Sequence, residues 1–229
     1  MQTEMKEFPT GCTSVDAAFN HGVHSGSITQ IYGESSTGKT NVLATLAANT
    51  IINGGDVAII SKEATTFDRT VEIIQRKTED ESVLDNLLTY QVTSFSEQDE
   101  AINNLKQVFP LDMVLVDGIG GLYRLERGKT NDEFIVERKL TRQITLLKSY
   151  ARKYHCAVVV TNQIYNNPET GTVEPLGGAG LENWFDTIMY LESFDENKRC
   201  LTVEKHRYGK EGERAWFEIS DDGINTLLM

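Results

Sequence analysis

The 229-residue chain predicts an α/β fold, with a mostly parallel central sheet, helices on both faces and antiparallel strands near the C-terminus. Three observations carry that prediction. Apolar strands alternate with helices through about residue 165, and the strands are apolar along their whole length, as expected where helices cover both sheet faces. A glycine-containing octet, Gly33-Glu34-Ser35-Ser36-Thr37-Gly38-Lys39-Thr40, sits between one such strand and the next helix. Beyond residue 185, three short strand-like segments follow one another with little helix between them. Composition shows no linker, so one domain spanning residues 1–229 is expected.

Taken in order, Ser27 to Tyr32 is rich in β-branched and aromatic residues and reads as a strand, and Asn41 to Ala48 reads as a helix. The turn Asn53-Gly54-Gly55-Asp56 leads into the strand Val57 to Ser61. Phe67 to Gln75 is helical, with Val71, Ile73 and Ile74 on its apolar side, and the charged stretch Lys77 to Asp85 is a loop. Leu87 to Val92 is a strand. Ser96, with Asp99 three residues on, predicts a helix start, and that helix runs to Phe109. Met113 to Asp117 is an apolar strand ending in a carboxylate. Asp132 to His155 is a long helix with Phe134, Ile135, Leu140, Ile144, Leu147 and Tyr150 as its apolar residues, followed by the strand Ala157 to Thr161. The C-terminal strands are Asp186 to Leu191, Arg199 to His206 and Ala215 to Ser220.

The formal charge is −12, so a nucleic-acid footprint, if present, is confined to local basic clusters. No apolar run reaches the length of a membrane span, and the N-terminus lacks the pattern of a secretory signal. Cys12, Cys156 and Cys200 are odd in number and widely separated, which predicts reduced thiols in a cytoplasmic protein. His21, His24, His155 and His206 show no metal-ligand spacing.

The octet fits G-x-x-x-x-G-K-[ST] and has the strand before it and helix after it that a phosphate-binding loop requires. Its backbone N–H groups and the helix N-terminus would face phosphates, Lys39 would reach the β- and γ-phosphates, and the Thr40 hydroxyl would ligate Mg²⁺. ATP with Mg²⁺ is the expected ligand pair. Asp117, at the C-terminal end of its strand, is the metal-side carboxylate, since ligands gather at that edge of a parallel sheet. Glu63, just past another strand, is either the base that polarises attacking water or an ordinary loop glutamate. Gln163, just past the strand Ala157 to Thr161, is either a sensor of the γ-phosphate or a polar strand end.

These segments fall in the order of a known family. Thr10-Gly11-Cys12-Thr13-Ser14-Val15-Asp16, the glycine loop, Ile60-Ser61-Lys62-Glu63, Leu115-Val116-Asp117 and Val160-Thr161-Asn162-Gln163 together resemble the RecA/RadA recombinase core. Leu122-Tyr123-Arg124 and Pro175-Leu176-Gly177-Gly178 extend the match over nearly the whole chain. The resemblance implies a RecA-like P-loop ATPase core in a short form without the helical N-terminal DNA-binding domain. It makes Glu63 the water-activating glutamate and Gln163 the allosteric glutamine. It also matches residues 118–131 to a first DNA-facing loop and 164–181 to a second. Short family members of this kind bind DNA, hydrolyse ATP weakly, perform no strand exchange and assist recombination and repair, which implies a RadA-type recombinase as partner. One departure bears on rate: where such cores carry Asp-Thr-Glu-Gly, this chain has Ser61-Lys62-Glu63-Ala64, which removes a carboxylate and sets Lys62 beside the base. Slow turnover is expected.

Arg124, Arg127 and Lys129 in the first loop are candidates for phosphate contacts, or else a solvated group pairing with Glu126. Lys205 and Arg207 share one strand face, with His206 on the other and Lys210 nearby. That face meets a neighbour's nucleotide, lines DNA, or forms ion pairs with Glu204 and Glu211. Tyr123 either stacks on a base or packs at the loop entry, and Trp184 and Phe185 are expected in the core. The alternatives to a DNA-associated ATPase are a KaiC-type ATPase to which DNA is incidental, and an adaptor whose target is a protein.

Overall fold

The computed structural model describes residues 5–108, 110–129, 132–166, 173–176 and 179–227. A short ribbon opens the chain: β1 (Glu7–Phe8) pairs antiparallel with β2 (Val23–His24), and helix α1 (Thr13–Ala18) lies between them. Then come β3 (Ile28–Gly33), α2 (Lys39–Ile52), β4 (Val57–Ser61), α3 (Thr65–Lys77), β5 (Leu87–Gln91) and α4 (Phe95–Asn104). The middle of the chain contributes β6 (Met113–Asp117), α5 (Ile119–Arg127), α6 (Glu133–Tyr154), β7 (Ala157–Asn166) and β8 (Val173–Pro175). The last strands are β9 (Thr187–Ser193), β10 (Lys198–His206), β11 (Arg214–Ser220) and β12 (Gly223–Thr226).

The main sheet has the order β12-β11-β10-β9-β3-β7-β6-β4-β5, with β8 against β7. Pairings from β9 through β5 are parallel, and those from β9 to β12 are antiparallel, as the sequence predicts. The uniformly apolar strands are explained by two cores. Ile31, Val57, Ile59, Leu115 and Val159 face one core with α1 and α2, while Tyr32, Ala58, Ile60, Val114 and Val160 face the other with α4, α5 and α6. Alternate side chains of one strand therefore go to different cores, and each must be apolar.

Several boundaries differ from expectation. The fourth helix is capped by Ser94, whose Oγ accepts from Glu97 N–H (3.1 Å), while Glu97 Oε2 accepts from Thr93 N–H (2.7 Å). Ser96 lies inside the helix, and Asp99 is taken by Arg142 at 2.7 Å. Beginning at Ser94 buries Phe95, which a start at Ser96 would leave outside the helix. The helix ends at Asn104 and a 3-10 turn covers Leu105–Gln107; Phe109 lies outside the described residues. The charged stretch after α3 contains a 3-10 helix, Glu81–Asn86, capped by the Asp80 side chain. In α6, Phe134 (65% exposed) and Ile135 (50%) face solvent. The buried stripe is Val136, Leu140, Gln143, Ile144, Leu147, Tyr150 and Ala151, whose helical spacing is the one that keeps to a single face.

The larger correction is within residues 118–131, of which 130 and 131 lie outside the described residues. Ile119–Arg127 is a helix there, because Ile119, Leu122 and Tyr123 recur at helical spacing and bury themselves in the core shared with α4 and α6. The ribbon, α1 and β12 leave no mark in the sequence pattern; each is too short for periodicity to reveal. Cys12, Cys156 and Cys200 are free and buried, Phe185 is in the core and Trp184 packs at its margin.

Candidate nucleotide site and charged surfaces

Sheet register assembles the site. Ser61 pairs with Asp117 and Gly33 with Gln163, so the C-terminal ends of β4, β6 and β3 lie along one edge beside Gln163. Gln163 is inside β7, because that strand runs past the expected end at Thr161 to Asn166. That edge is where an open parallel sheet presents ligand-binding groups. The octet leaves β3 at Gly33 and enters α2 at Lys39. Gly33 is packed so closely that a Cβ would lie 2.2 Å from the Leu191 carbonyl oxygen, so a side chain there would displace the backbone. Gly38 turns the chain with φ of 101°, a conformation few L-residues adopt. Glu34, Ser35 and Ser36 form the exposed crest, while Thr37 is buried and donates from Oγ1 to the Glu34 carbonyl at 3.0 Å.

Lys39 folds back into the loop, its Nζ donating to the Gly33 carbonyl (3.0 Å), the Glu34 carbonyl and Thr37 Oγ1 (3.3 Å). Burial lowers its ammonium pKa, while Asp117 and Glu34 oppose that shift. Lys39 thus supplies a partly desolvated cation at the mouth of α2, where the helix dipole adds positive potential. Directly below, Thr40 Oγ1 donates to Asp117 Oδ2 at 2.8 Å. Thr66 donates to the same oxygen at 2.6 Å, and Thr161 donates to Oδ1. The donors around Asp117 are all oxygens, the chemistry a hard divalent cation such as Mg²⁺ prefers. Sequence reasoning misses Thr66 and Thr161: Thr161 shows only as a strand end, and nothing marks Thr66.

Glu63 lies two residues beyond β4, exposed, with its N–H on Ser61 Oγ at 3.2 Å. It helps line a cavity of about 70 Å³ with Phe67, Tyr90 and Gln91. Gln163 is exposed, and its carbonyl accepts from Leu176 N–H at 2.9 Å, tying the strand beside the glycine loop to the far end of residues 164–181. The buried Asn162 amide reinforces this by donating to the Leu176 carbonyl at 2.8 Å. Within 164–181, residues 167–172, 177 and 178 lie outside the described residues.

The basic candidates do not gather at this edge as free charges. Arg124 is exposed on the last turn of α5, Arg127 pairs with Glu133, and Lys129 pairs with Glu126 at 3.8 Å. Tyr123 is 3% exposed against Phe95, the packing alternative of its two readings. Lys205 Nζ donates to the Glu182 carbonyl at 2.9 Å. Arg207, just past β10, lies 3.4 Å from the buried Asp186, which Lys148 (3.3 Å) and Arg152 (3.9 Å) also approach. Glu204 accepts from the Tyr32 hydroxyl instead of pairing with a cation on its own strand. Among the described residues no helix is long and apolar enough to cross a membrane, and no group of three or more His, Cys, Asp and Glu side chains gathers to hold a metal.

Known proteins resemble this chain over nearly its whole length. The Rad51 family model matches residues 1–227. "DNA repair and recombination protein RadB" of Halobacterium salinarum is 35% identical over 230 residues, covering 99% of this chain and 98% of its own. The protein of the same name from Archaeoglobus fulgidus is 36% identical over 219 residues, covering 94% and 96%. The crystal structure of the RadB recombinase superposes with a TM-score of 0.82 at 26% identity, covering 96% of this chain and all of that one. The chain belongs to the Rad51 family, within its RadB branch.

Proposed function

We propose that this protein is an ATP- and DNA-binding accessory of homologous recombination and repair, with a weak ATPase and no strand exchange of its own. One observation carries the reading: the Thr40 hydroxyl meets the Asp117 carboxylate at 2.8 Å beneath a glycine loop that already encloses the Lys39 ammonium. Residues 33–40 would hold the phosphates by main-chain N–H groups and Lys39, and Thr40 with Asp117 would hold Mg²⁺. That ion would draw charge from the β- and γ-phosphate oxygens. Glu63 then accepts the proton of the attacking water. Gln163 reports the occupied state to the 164–181 segment, through the strand that its carbonyl ties to Leu176. Lys62, next to Glu63 in the chain, would add positive charge near that carboxylate, disfavour its proton uptake and keep turnover slow.

DNA contact falls to Arg124, Arg127, Lys129, Lys205 and Arg207, and is weak and indifferent to sequence because few phosphates are neutralised. A RadA-type recombinase is the protein partner. Residues 1–229 act as one RecA-like core in the cytoplasm, where buried thiols remain reduced. The deciding experiment measures ATP hydrolysis with and without single-stranded DNA. Slow hydrolysis that DNA stimulates is expected. Hydrolysis indifferent to DNA, with no DNA binding at low salt in the presence of ATP, returns the choice to a protein-directed adaptor.

A further inference from the structure

Arg199 stands at the start of β10 and is 8% exposed. Its guanidinium donates to four main-chain carbonyl oxygens: Nε to Thr37 (2.8 Å), Nη1 to Asp195 (2.8 Å) and Lys198 (3.0 Å), and Nη2 to Glu196 (3.1 Å). Two of these belong to the β9–β10 turn, and Lys198 opens β10. The fourth belongs to the glycine loop, 162 residues earlier in the chain. From these contacts we infer that Arg199 is a positioning residue for the nucleotide, holding the Thr37–Gly38 peptide so that the Gly38 N–H faces the phosphate side of the loop.

The geometry follows from the peptide bond. In a trans peptide the Thr37 carbonyl and the Gly38 N–H point in opposite directions across one rigid plane. Fixing the carbonyl oxygen on Arg199 therefore aims the N–H away from Arg199. Thr37 is held from its side chain as well, through the Oγ1 bond to Glu34. Glycine at position 38, with φ of 101°, would otherwise leave this peptide the freest in the loop. The planar guanidinium suits this role, because Nε reaches the loop while both terminal nitrogens are anchored in the turn. A lysine keeps the charge but not the fork. Because main-chain amides of such a loop serve the α- and β-phosphates, ATP and ADP gain equally.

The inference rests on the nucleotide reading of the loop, and the test separates the two. Mg·ATP and Mg·ADP are titrated calorimetrically into the full chain, into Arg199→Lys and into Arg199→Gln, and melting temperatures are recorded with and without ATP. Both variants are expected to lose affinity for ATP and ADP by the same factor, about 10- to 100-fold, the range of one charge-assisted hydrogen bond. The ATP-induced rise in melting temperature should shrink accordingly. A variant that melts lower but keeps the full ATP-induced rise, or matches the parent's affinities, overturns the role while the nucleotide site stands. A parent that binds neither nucleotide removes the site itself, and the inference with it. If neither variant folds, amide relaxation of the parent decides. A Gly38 N–H as rigid without nucleotide as with it supports the role; one ordered only by ATP overturns it.

Discussion

The glycine-loop edge and the charged surfaces around α5 and the end of β10 are built in opposite ways. At the edge, Thr40, Thr66 and Thr161 converge from α2, α3 and β7 on the Asp117 carboxylate of β6, while the Lys39 ammonium is taken up by oxygens of the glycine loop. On the surfaces, Arg127, Lys129 and Arg207 point outward and meet Glu133, Glu126 and Asp186. The first arrangement concentrates chemistry on one ligand. The second cancels charge locally at Arg127, Lys129 and Arg207 and leaves Arg124 exposed, in a chain of net charge −12. The Arg127–Glu133 and Lys129–Glu126 pairs are exposed, individually weak and salt-screened, so a polyanion can compete for their cations.

The largest effect that tests this contrast is at Lys39. Lys39→Ala removes the ammonium from the loop and should weaken ATP binding by about 100-fold or more, with the fold intact by circular dichroism. Calorimetry showing unchanged affinity would end the nucleotide reading of the edge. Next, Glu63→Gln should retain ATP binding and slow hydrolysis by at least about 100-fold, since an amide takes no proton from water. Single-turnover hydrolysis as fast as the parent's would place the base elsewhere.

The surface is expected to respond more gently and in both directions. Replacing Arg124, Arg127 and Lys129 together by alanine should weaken single-stranded DNA binding several-fold and flatten a salt slope already no steeper than about −2 to −4, with ATP affinity unchanged. The double change Glu126→Gln and Glu133→Gln, which frees Lys129 and Arg127, should do the reverse and steepen the slope by about 1. Labelled DNA titrated at three salt concentrations reads both. If neither set alters binding, Lys205 and Arg207 become the contacts to test.

The smallest effect concerns His206 at the end of β10. Burial lowers its pKa first; the hydrogen bond to the Phe19 carbonyl raises it, and nearby His24 lowers it further. In the neutral ring Nε2–H donates to Phe19 O (3.2 Å) and Nδ1 accepts from Tyr208 N–H (3.0 Å), so protonation would break the second bond. A histidine depressed in the fold favours the neutral state. Its contribution is therefore whole above the unfolded value of about 6.5 and declines as pH falls below it. Part of the drop in melting temperature between pH 7.5 and 5.5 should vanish in His206→Gln; an identical drop in both proteins would exclude this residue.

What the chain discloses in advance follows spacing between near residues. The octet, the strand-end carboxylate Asp117 and the doubly apolar strands are local patterns, each recognisable within a few residues. Ile119–Arg127 differs from expectation because a family correspondence suggests a loop, whereas the helical spacing of Ile119, Leu122 and Tyr123 is itself visible. Ser94 and Ser96 both fit a capping pattern, and only the burial of Phe95 separates them.

By itself the sequence determined the layered α/β class, and it singled out the glycine octet with Lys39, Thr40 and Asp117 as candidates for one site. Each depends on interactions between near neighbours or on a face periodicity that one segment carries alone. Only the tertiary structure decided that Thr66 and Thr161 hold Asp117 across 51 and 44 residues, and that Arg199 holds Thr37 across 162. It also decided that Arg127 and Lys129 are paired with acids. Long-range contacts of this kind are set by strand register and helix packing, which depend on how all the apolar faces fit together at once. No short stretch of residues contains that information.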